Sequence, residues 1–240
     1  MSVFPYQNSE KNKKQQVEQM FDHIAPRYDF LNHFLSMGID KLWRKKAVRM
    51  LDVFHPGRVL DVASGTGDFA VAATRTNPEE IVGLDLSEQM IQVGREKVKR
   101  LGLDSLIRFQ KGDSENMPFP DDSFDAVTVA FGVRNFENLN KGLDEFIRVL
   151  KPGGVALILE FSKPKYFPFR QLYRFYLFHI LPLIGGMVSK DASAYSYLPE
   201  SVMAFPDDQE FLGILSKAGF SSFLQKRLTF GIATIYQAVK

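Results

Sequence analysis

The chain has 240 residues, enough for one sizeable core or for a core with a small cover. Its 45% hydrophobic and 24% charged residues are ordinary for a globular protein and exclude a disordered chain. A formal net charge of +2 is too small to argue for nucleic acid as a partner, and the lack of cysteine excludes disulfides and thiolate metal sites.

The segment Met1 to Gln16 is polar, carries Lys11, Lys13 and Lys14, and lacks the apolar centre of a signal peptide. Residues 17–54 read as helical, interrupted at Ala25-Pro26 and Met37-Gly38. Strands and helices then alternate. Arg58 to Ala63 is a strand and Gly67 to Thr76 a helix. Ile81 to Leu86 is a second strand, followed by a helix capped by Ser87 and running to about Leu101. Ile107 to Lys111 is a third strand. Phe124 to Ala130 is a fourth, with the continuous apolar run of a strand buried on both faces. Leu139 to Leu150 is a helix stopped by Lys151-Pro152-Gly153-Gly154, and Val155 to Phe161 is a fifth strand. This alternation predicts a parallel sheet with right-handed crossovers.

The tail reads differently. Asp207 to Ala218 is a helix ending at Gly219, followed by strands at about Ser222 to Leu228 and Ile232 to Val239 that turn near Phe230-Gly231. That spacing predicts an antiparallel hairpin at the sheet edge. Ser162 to Phe205 is too long for a plain connection and is expected to form a lid or binding element. The organisation expected is one domain over 1–240: a helical cap 1–54, a core 55–161 and 207–240, and a lid insertion 162–206. The longest apolar stretch, Phe175 to Val188, holds His179, Pro182 and Gly185-Gly186. It falls short of the roughly 20 residues that span a bilayer. A cytoplasmic protein is expected, with room for peripheral contact at the inner face of a membrane.

The first strand runs into Asp61-Val62-Ala63-Ser64-Gly65-Thr66-Gly67-Asp68-Phe69-Ala70, where Gly65 and Gly67 let the backbone approach a ligand. Asp85 ends the second strand, 24 residues after Asp61, where it can hold both hydroxyls of a ribose. This pattern also fits a dinucleotide loop. Charge separates the two readings. Asp61 and Asp68 would oppose a pyrophosphate but suit a ligand with a sulfonium and an ammonium group, as in S-adenosylmethionine. After the third strand, Asp113 can accept from an adenine amino group and the backbone at Ser114 can meet the ring edge; an ordinary Asp/Ser/Pro turn is the alternative.

Leu60 to Asp68 together with Gly83-Leu84-Asp85-Leu86-Ser87 resembles the class I methyltransferase core. Four segments are narrower: Met20 to Asp29, Phe131-Gly132-Val133-Arg134-Asn135, Glu160-Phe161-Ser162-Lys163-Pro164, and Tyr195-Ser196-Tyr197-Leu198-Pro199-Glu200-Ser201. With them nearly the whole chain resembles the ubiquinone/menaquinone biosynthesis C-methyltransferases. The resemblance implies an α/β, Rossmann-like fold with a parallel sheet, a C-terminal antiparallel hairpin and a helical lid. It implies S-adenosylmethionine as cofactor, with Thr66, Asp85, Asp113 and Ser114 among its contacts, and a polyprenyl quinol as substrate.

That chemistry needs a reduced ring, because an oxidised quinone does not attack an electrophilic methyl group. It needs alignment, support for a developing phenolate and a path for a proton. Arg134, just past the fourth strand, is the candidate to stabilise the phenolate, with Asn135 to orient it; pairing of Arg134 with a carboxylate is the alternative. Tyr195 and Tyr197 are candidates to reach the quinol hydroxyls, with core packing equally open. Tyr28 and Asp29 are candidates to close over the cofactor, and His33 reads as structural before it reads as a base. No His or carboxylate cluster with metal spacing is visible, so no metal is expected. Tyr166, Phe167, Phe169, Tyr173, Phe175, Tyr176 and Phe178 interleave with Lys163, Lys165, Arg170 and Arg174, a mixture suited to a membrane interface or the mouth of a lipid-tail channel.

Overall fold

The structure is a computed structural model and describes residues 3–6, 9–183 and 193–240, with Ser193 and Tyr195 described by their backbone alone. Three helices lead: α1 (Lys13–Ile24), α2 (Tyr28–Leu35) and α3 (Ile39–Asp52). Helix α1 begins earlier than its apolar pattern predicts, because Asn12 and Gln15 form a reciprocal capping box over four polar residues.

The sheet follows: β1 (Arg58–Val62), α4 (Asp68–Ala73), β2 (Glu80–Asp85), α5 (Glu88–Arg100), β3 (Ile107–Lys111), β4 (Phe124–Ala130), α6 (Leu139–Val149) and β5 (Leu150–Phe161). Next come α7 (Phe169–Phe175), continued by a wider turn at Tyr176–Ile180, then α8 (Ser193–Ala204), α9 (Gln209–Lys217), β6 (Ser221–Leu228) and β7 (Ala233–Val239). The seven strands lie in the order β3-β2-β1-β4-β5-β7-β6. The first five are parallel, as the alternation predicts. The C-terminal pair is antiparallel, and its second strand, not its first, lies against β5, with Val155 opposite Val239 and Phe161 opposite Ala233. The chain order reverses between β1 and β4, the position at which sheets of this kind bind ligands beyond the strands' carboxyl ends.

Each sheet face is covered by its own apolar layer. Leu143 and Phe146 of α6, with Phe211 and Leu215 of α9, pack on one face. Trp43, Ala47 and Leu51 of α3, with Phe69 of α4 and Ile91 of α5, pack on the other. A third cluster joins the N-terminal helices to the insertion through Met20, Ile24, Leu31, Tyr173, Leu177 and Tyr197.

Phe109 of β3 lies in a cradle of glycines. A Cβ added to Gly67, Gly83 or Gly94 would stand 2.6–2.8 Å from its ring. Gly67 also has a φ of +81°. Packing beneath the loop thus requires a glycine at this position. Gly67→Ala is expected to cost roughly 2–4 kcal/mol, from backbone strain and overpacking together. Urea unfolding measures this, and adding Phe109→Leu should recover part of the loss; unchanged stability in Gly67→Ala would show that the cradle yields freely.

Candidate active site

Two cavities open at the carboxyl ends of β1, β2 and β4. The first is lined by Ala63 and Gly65 of the glycine loop, Asp85, Ser114 and Asn135, and is covered by Val17 and Phe21 of α1. The second, about 320 Å³ and mostly apolar, lies between α1, α2, α3 and the insertion. Phe21, Tyr28 and Phe131 line both.

Asp85 stands at the end of β2 and is held from below. Its Oδ2 accepts from the Gly65 N–H at 2.7 Å and its Oδ1 from the Ser87 N–H at 2.9 Å. Burial pushes its carboxyl up to about 6 despite those donors. The Leu86 N–H is a third donor to it, and the carboxylate, which lines the first cavity, has acceptor capacity left. Ser114 also lines this cavity. Asp113 beside it is turned to Lys14 of α1, at 2.6 Å, and to the Glu115 N–H, at 2.9 Å. The pair ties the cap to the rim.

The other loop residues sit beneath the cavity. Asp61 is buried and lines neither cavity; its oxygens accept from the Thr128 hydroxyl at 2.8 Å and the Ala70 N–H at 3.1 Å. Burial pushes its carboxyl up to about 7. Thr66 donates to Asp29 and accepts from Lys97, and neither it nor Gly67 lines a cavity. Asp68 does not present the free charge to a ligand that its place in the loop predicts. Asp68 is bound to Lys97 at 2.7 Å and faces Arg44 at 3.6 Å, so its charge is already met.

His33 belongs to the same network. It meets Asp40 through Nδ1 at 2.8 Å and Asp68 through Nε2 at 3.5 Å. His33, Asp40 and Asp68 thus come close enough to hold a metal ion, a grouping invisible in the spacing because it joins α2, α3 and α4. Arg44 and Lys97 supply the positive charge there.

Arg134 lines the second cavity and pairs with Glu160, the fully buried carboxylate at the end of β5, at 2.9 Å. It also donates to the Phe131 carbonyl and lies over the Phe161 ring at 5.3 Å. Its Nε has no partner among the described residues. The carboxylate pairing offered as the alternative from sequence is thus present, and the paired residue still lines the second cavity. Asn135 lines the first cavity, and its Oδ1 accepts from the Tyr197 hydroxyl at 3.1 Å. The Tyr195 side chain lies outside the described residues. Glu160 escaped the sequence reading, although a lone carboxylate closing the apolar run Val155 to Phe161 is a usable signal.

The chain matches the ubiE/COQ5 methyltransferase family over residues 9–240. It belongs to that family. It is 52% identical to a demethylmenaquinone methyltransferase of Bacteroides fragilis, over 99% of this chain and 97% of that one. It is 47% identical to the ubiquinone/menaquinone biosynthesis C-methyltransferase UbiE of Geobacter sulfurreducens, over 98% of this chain and 91% of that one. A solved S-adenosylmethionine-dependent methyltransferase of Thermotoga maritima, described as a possible histamine N-methyltransferase, shares the fold. Its TM-score is 0.66 at 19% identity, over 93% of this chain and 99% of that one. The α/β methyltransferase fold expected from sequence is thus the one observed.

Asp61 and Asp85 hold their protons to higher pH in the folded chain than in the unfolded one, so folding takes up protons between about pH 4 and 7. Stability should fall as pH rises from about 4 to about 7.5, by on the order of several kcal/mol. Against burial, Ser36 and Arg44 hold Asp40, and Arg44 and Lys97 hold Asp68, below the usual range, so their contributions are complete under this window. Denaturant unfolding across the window should show the decline, flattened in Asp61→Asn. A rise in wild-type stability would remove the raised values.

Proposed function

We propose that this chain transfers the methyl group of S-adenosylmethionine to a ring carbon of a reduced polyprenyl naphthoquinol, demethylmenaquinol. The observation that carries the reading is the junction of the two cavities. One is small, with a carboxylate at a strand end; the other is large and apolar; they meet at Phe21, Tyr28 and Phe131 with Arg134 in the wall of the larger.

The first cavity fits the cofactor chemically. Asp85 would accept from both ribose hydroxyls, Leu86 and Met90 would flank the adenine, and the backbone from Ala63 to Gly65 would meet the amino-acid end. Bound there, the cofactor supplies an electrophilic methyl on a sulfonium. The apolar cavity suits a ring with an isoprenoid tail, since each buried methylene contributes about 0.8 kcal/mol. Relatives named for demethylmenaquinone favour a naphthoquinol over a benzoquinol.

Arg134 places a fixed positive charge where the ring hydroxyl next to the accepting carbon loses its proton. That carbon forms the new C–C bond as the C–S bond breaks. The ring then loses its own hydrogen as a proton and its oxygen is reprotonated, so one proton leaves per methyl transferred. Anaerobic incubation with methyl-labelled cofactor and reduced naphthoquinols should put the label on a ring carbon, read by mass spectrometry; label on oxygen, or none, overturns the reading. Arg134→Ala should lower turnover roughly a hundredfold or more with cofactor affinity kept. Asp85→Ala should instead weaken cofactor binding, by roughly 2–4 kcal/mol. Calorimetry separates the two, and equal loss of affinity in both variants would make Arg134 a cofactor residue.

A substrate of this kind resides in a membrane. Among the described residues no helix is long and apolar enough to cross one. Exposed apolar side chains instead flank the second cavity: Phe30, Phe34 and Met37 after α1, and Tyr166, Leu172 and Phe175 around α7. Such a patch beside a lipid-sized cavity fits a lipid surface. Lys165 is held by Asp208, so the exposed Arg170 and Arg174 are the cations to test. Arg170→Gln with Arg174→Gln should weaken binding to anionic vesicles by roughly 1 kcal/mol per charge. It should slow long-tailed quinols more than a tail-less analogue. Unchanged vesicle binding and an unchanged rate ratio would make the insertion a lid alone.

A further inference from the structure

Tyr197 of α8 belongs to the wall of one cavity and is bonded to the wall of the other. It lines the apolar cavity with Ala194, Leu198 and Val202 of the same helix, so α8 is one side of that cavity. Its hydroxyl donates to Asn135 Oδ1 at 3.1 Å, and Asn135 lines the first cavity. The direction of this bond is fixed by a second contact. The Asn135 amide nitrogen faces the Phe131 carbonyl at 3.4 Å. A carbonyl only accepts, so nitrogen is on that side, oxygen is on the Tyr197 side, and the tyrosine is the donor. Burial pushes the Tyr197 hydroxyl up to about 12, so it keeps its proton. With its hydroxyl engaged, Tyr197 acts through Asn135 rather than by reaching a quinol oxygen.

The contact continues into the rest of the site. The same Phe131 carbonyl accepts from Arg134, whose guanidinium pairs with Glu160 at 2.9 Å. Tyr197, Asn135, the Phe131 carbonyl, Arg134 and Glu160 form one chain of hydrogen bonds from α8 to the end of β5. Lys163 holds the far end of α8, its Nζ donating to the carbonyls of Met203 and Phe205 at 3.5 and 2.8 Å. Pro199 inside α8 supplies no N–H to the helix ladder, so the half that carries Tyr197 leans on contacts outside the helix.

We propose that Tyr197 is a positioning residue that couples the two cavities: a ligand packed against α8 in the apolar cavity seats Tyr197 on Asn135, and the Asn135 amide is thereby fixed in the wall of the cofactor cavity. This rests on the reading of the two cavities as cofactor and quinol sites. The effect runs both ways. A cofactor against Asn135 holds the amide to which Tyr197 bonds, and so favours α8 in its place over the quinol. Coupling between two binding sites is reciprocal, so each ligand tightens the other by the same factor. Methyl transfer requires both ligands aligned at once, which is the state this bond favours.

An oxidised naphthoquinone with a short prenyl tail can occupy the apolar cavity without reacting, since its ring does not attack the methyl group. Calorimetry with S-adenosylmethionine, with and without saturating quinone, reads the coupling in the absence of turnover. In the wild type the quinone should tighten the cofactor about fivefold or more. In Tyr197→Phe, which keeps the ring and removes the donor, that ratio should fall toward one. A general loosening of either cavity lowers the affinities in both conditions and leaves the ratio alone, so the ratio separates positioning from packing. Asn135→Ala should lose the coupling as well, and adding Tyr197→Phe to it should change the ratio no further, because the tyrosine acts through the amide. A ratio kept in either single variant, a further change in the double variant, or a wild type that binds both ligands without coupling overturns the proposal. A wild type that binds the cofactor and not the quinone overturns the quinol reading itself, and this inference with it.

Discussion

Glu160 is a carboxylate with no exposure, at the end of a strand buried on both sides, and the site is arranged around satisfying it. It accepts from the backbone N–H of Phe161 at 2.8 Å, from that of Arg134 at 3.3 Å and from the Arg134 side chain at 2.9 Å. A buried charge that loses such a partner costs about 3–5 kcal/mol, so the loop after β4 is bound to the end of β5. Strand order makes this possible. β4 and β5 are parallel neighbours with Ala130 opposite Leu159, so the loop leaving one strand meets the residue ending the other. With the guanidinium fixed to Glu160, Arg134 stands in the wall of the apolar cavity before any substrate arrives. A charge set in place this way does not have to reorganise as a phenolate forms.

The N-terminal helices are held over the sheet by ions at their margins and by apolar contacts in the middle. Lys13 is buried and donates to the carbonyls of Phe136 and Arg134 at 2.7 and 3.2 Å; burial pulls its pKa down to about 8. Lys14 reaches Asp113, Asp22 accepts from Ser87, and Asp29 pairs with Lys97 at 2.5 Å. The first three join the cap to loops at the strand ends, and the last joins it to α5. His33 falls in the last of these networks, between Asp40 and Asp68. It thereby links α2 to α3 and α4.

The sheet was legible because its strands are short apolar runs punctuated by glycine, proline and cap residues, signals that act locally. The place of Asp85, closing β2 on the wall of the first cavity, was legible for the same reason. Asp61, Thr66 and Gly67 show the limit. Their pattern is shared by backbone that approaches a ligand and backbone that packs on a neighbour, and only the Phe109 ring under Gly67 and the Thr128 hydroxyl beside Asp61 separate the two. Asp68 misled for a related reason. Its formal charge is visible in the chain, but the cations that meet it come from Arg44 and Lys97, which are distant in sequence. Tyr173 is one of seven aromatics between Tyr166 and Phe178; what singles it out is a buried hydroxyl without a partner among the described residues, and absence of a contact has no sequence pattern.

The switch point also carries backbone strain. Ala63, directly after β1, and Phe131, directly after β4, have φ of 48° and 59°, a region costly for residues with a side chain. Each costs on the order of 1–3 kcal/mol unless its surroundings impose it. For Phe131 the surroundings are on the page. Its N–H donates to the Leu159 carbonyl at 2.7 Å, and its ring packs on Phe161 at 4.4 Å and on Trp43 at 6.0 Å. The outcome is a Phe131 ring that forms part of both cavity walls, while the next residue, Gly132, would bring a Cβ within 2.7 Å of Ala63. Relaxed backbone at these two positions would send both loops along different paths and separate the cavities. Strain at the switch point therefore keeps the small cavity at Asp85 and the larger one in contact, which is the condition for a methyl group to pass directly from one to the other.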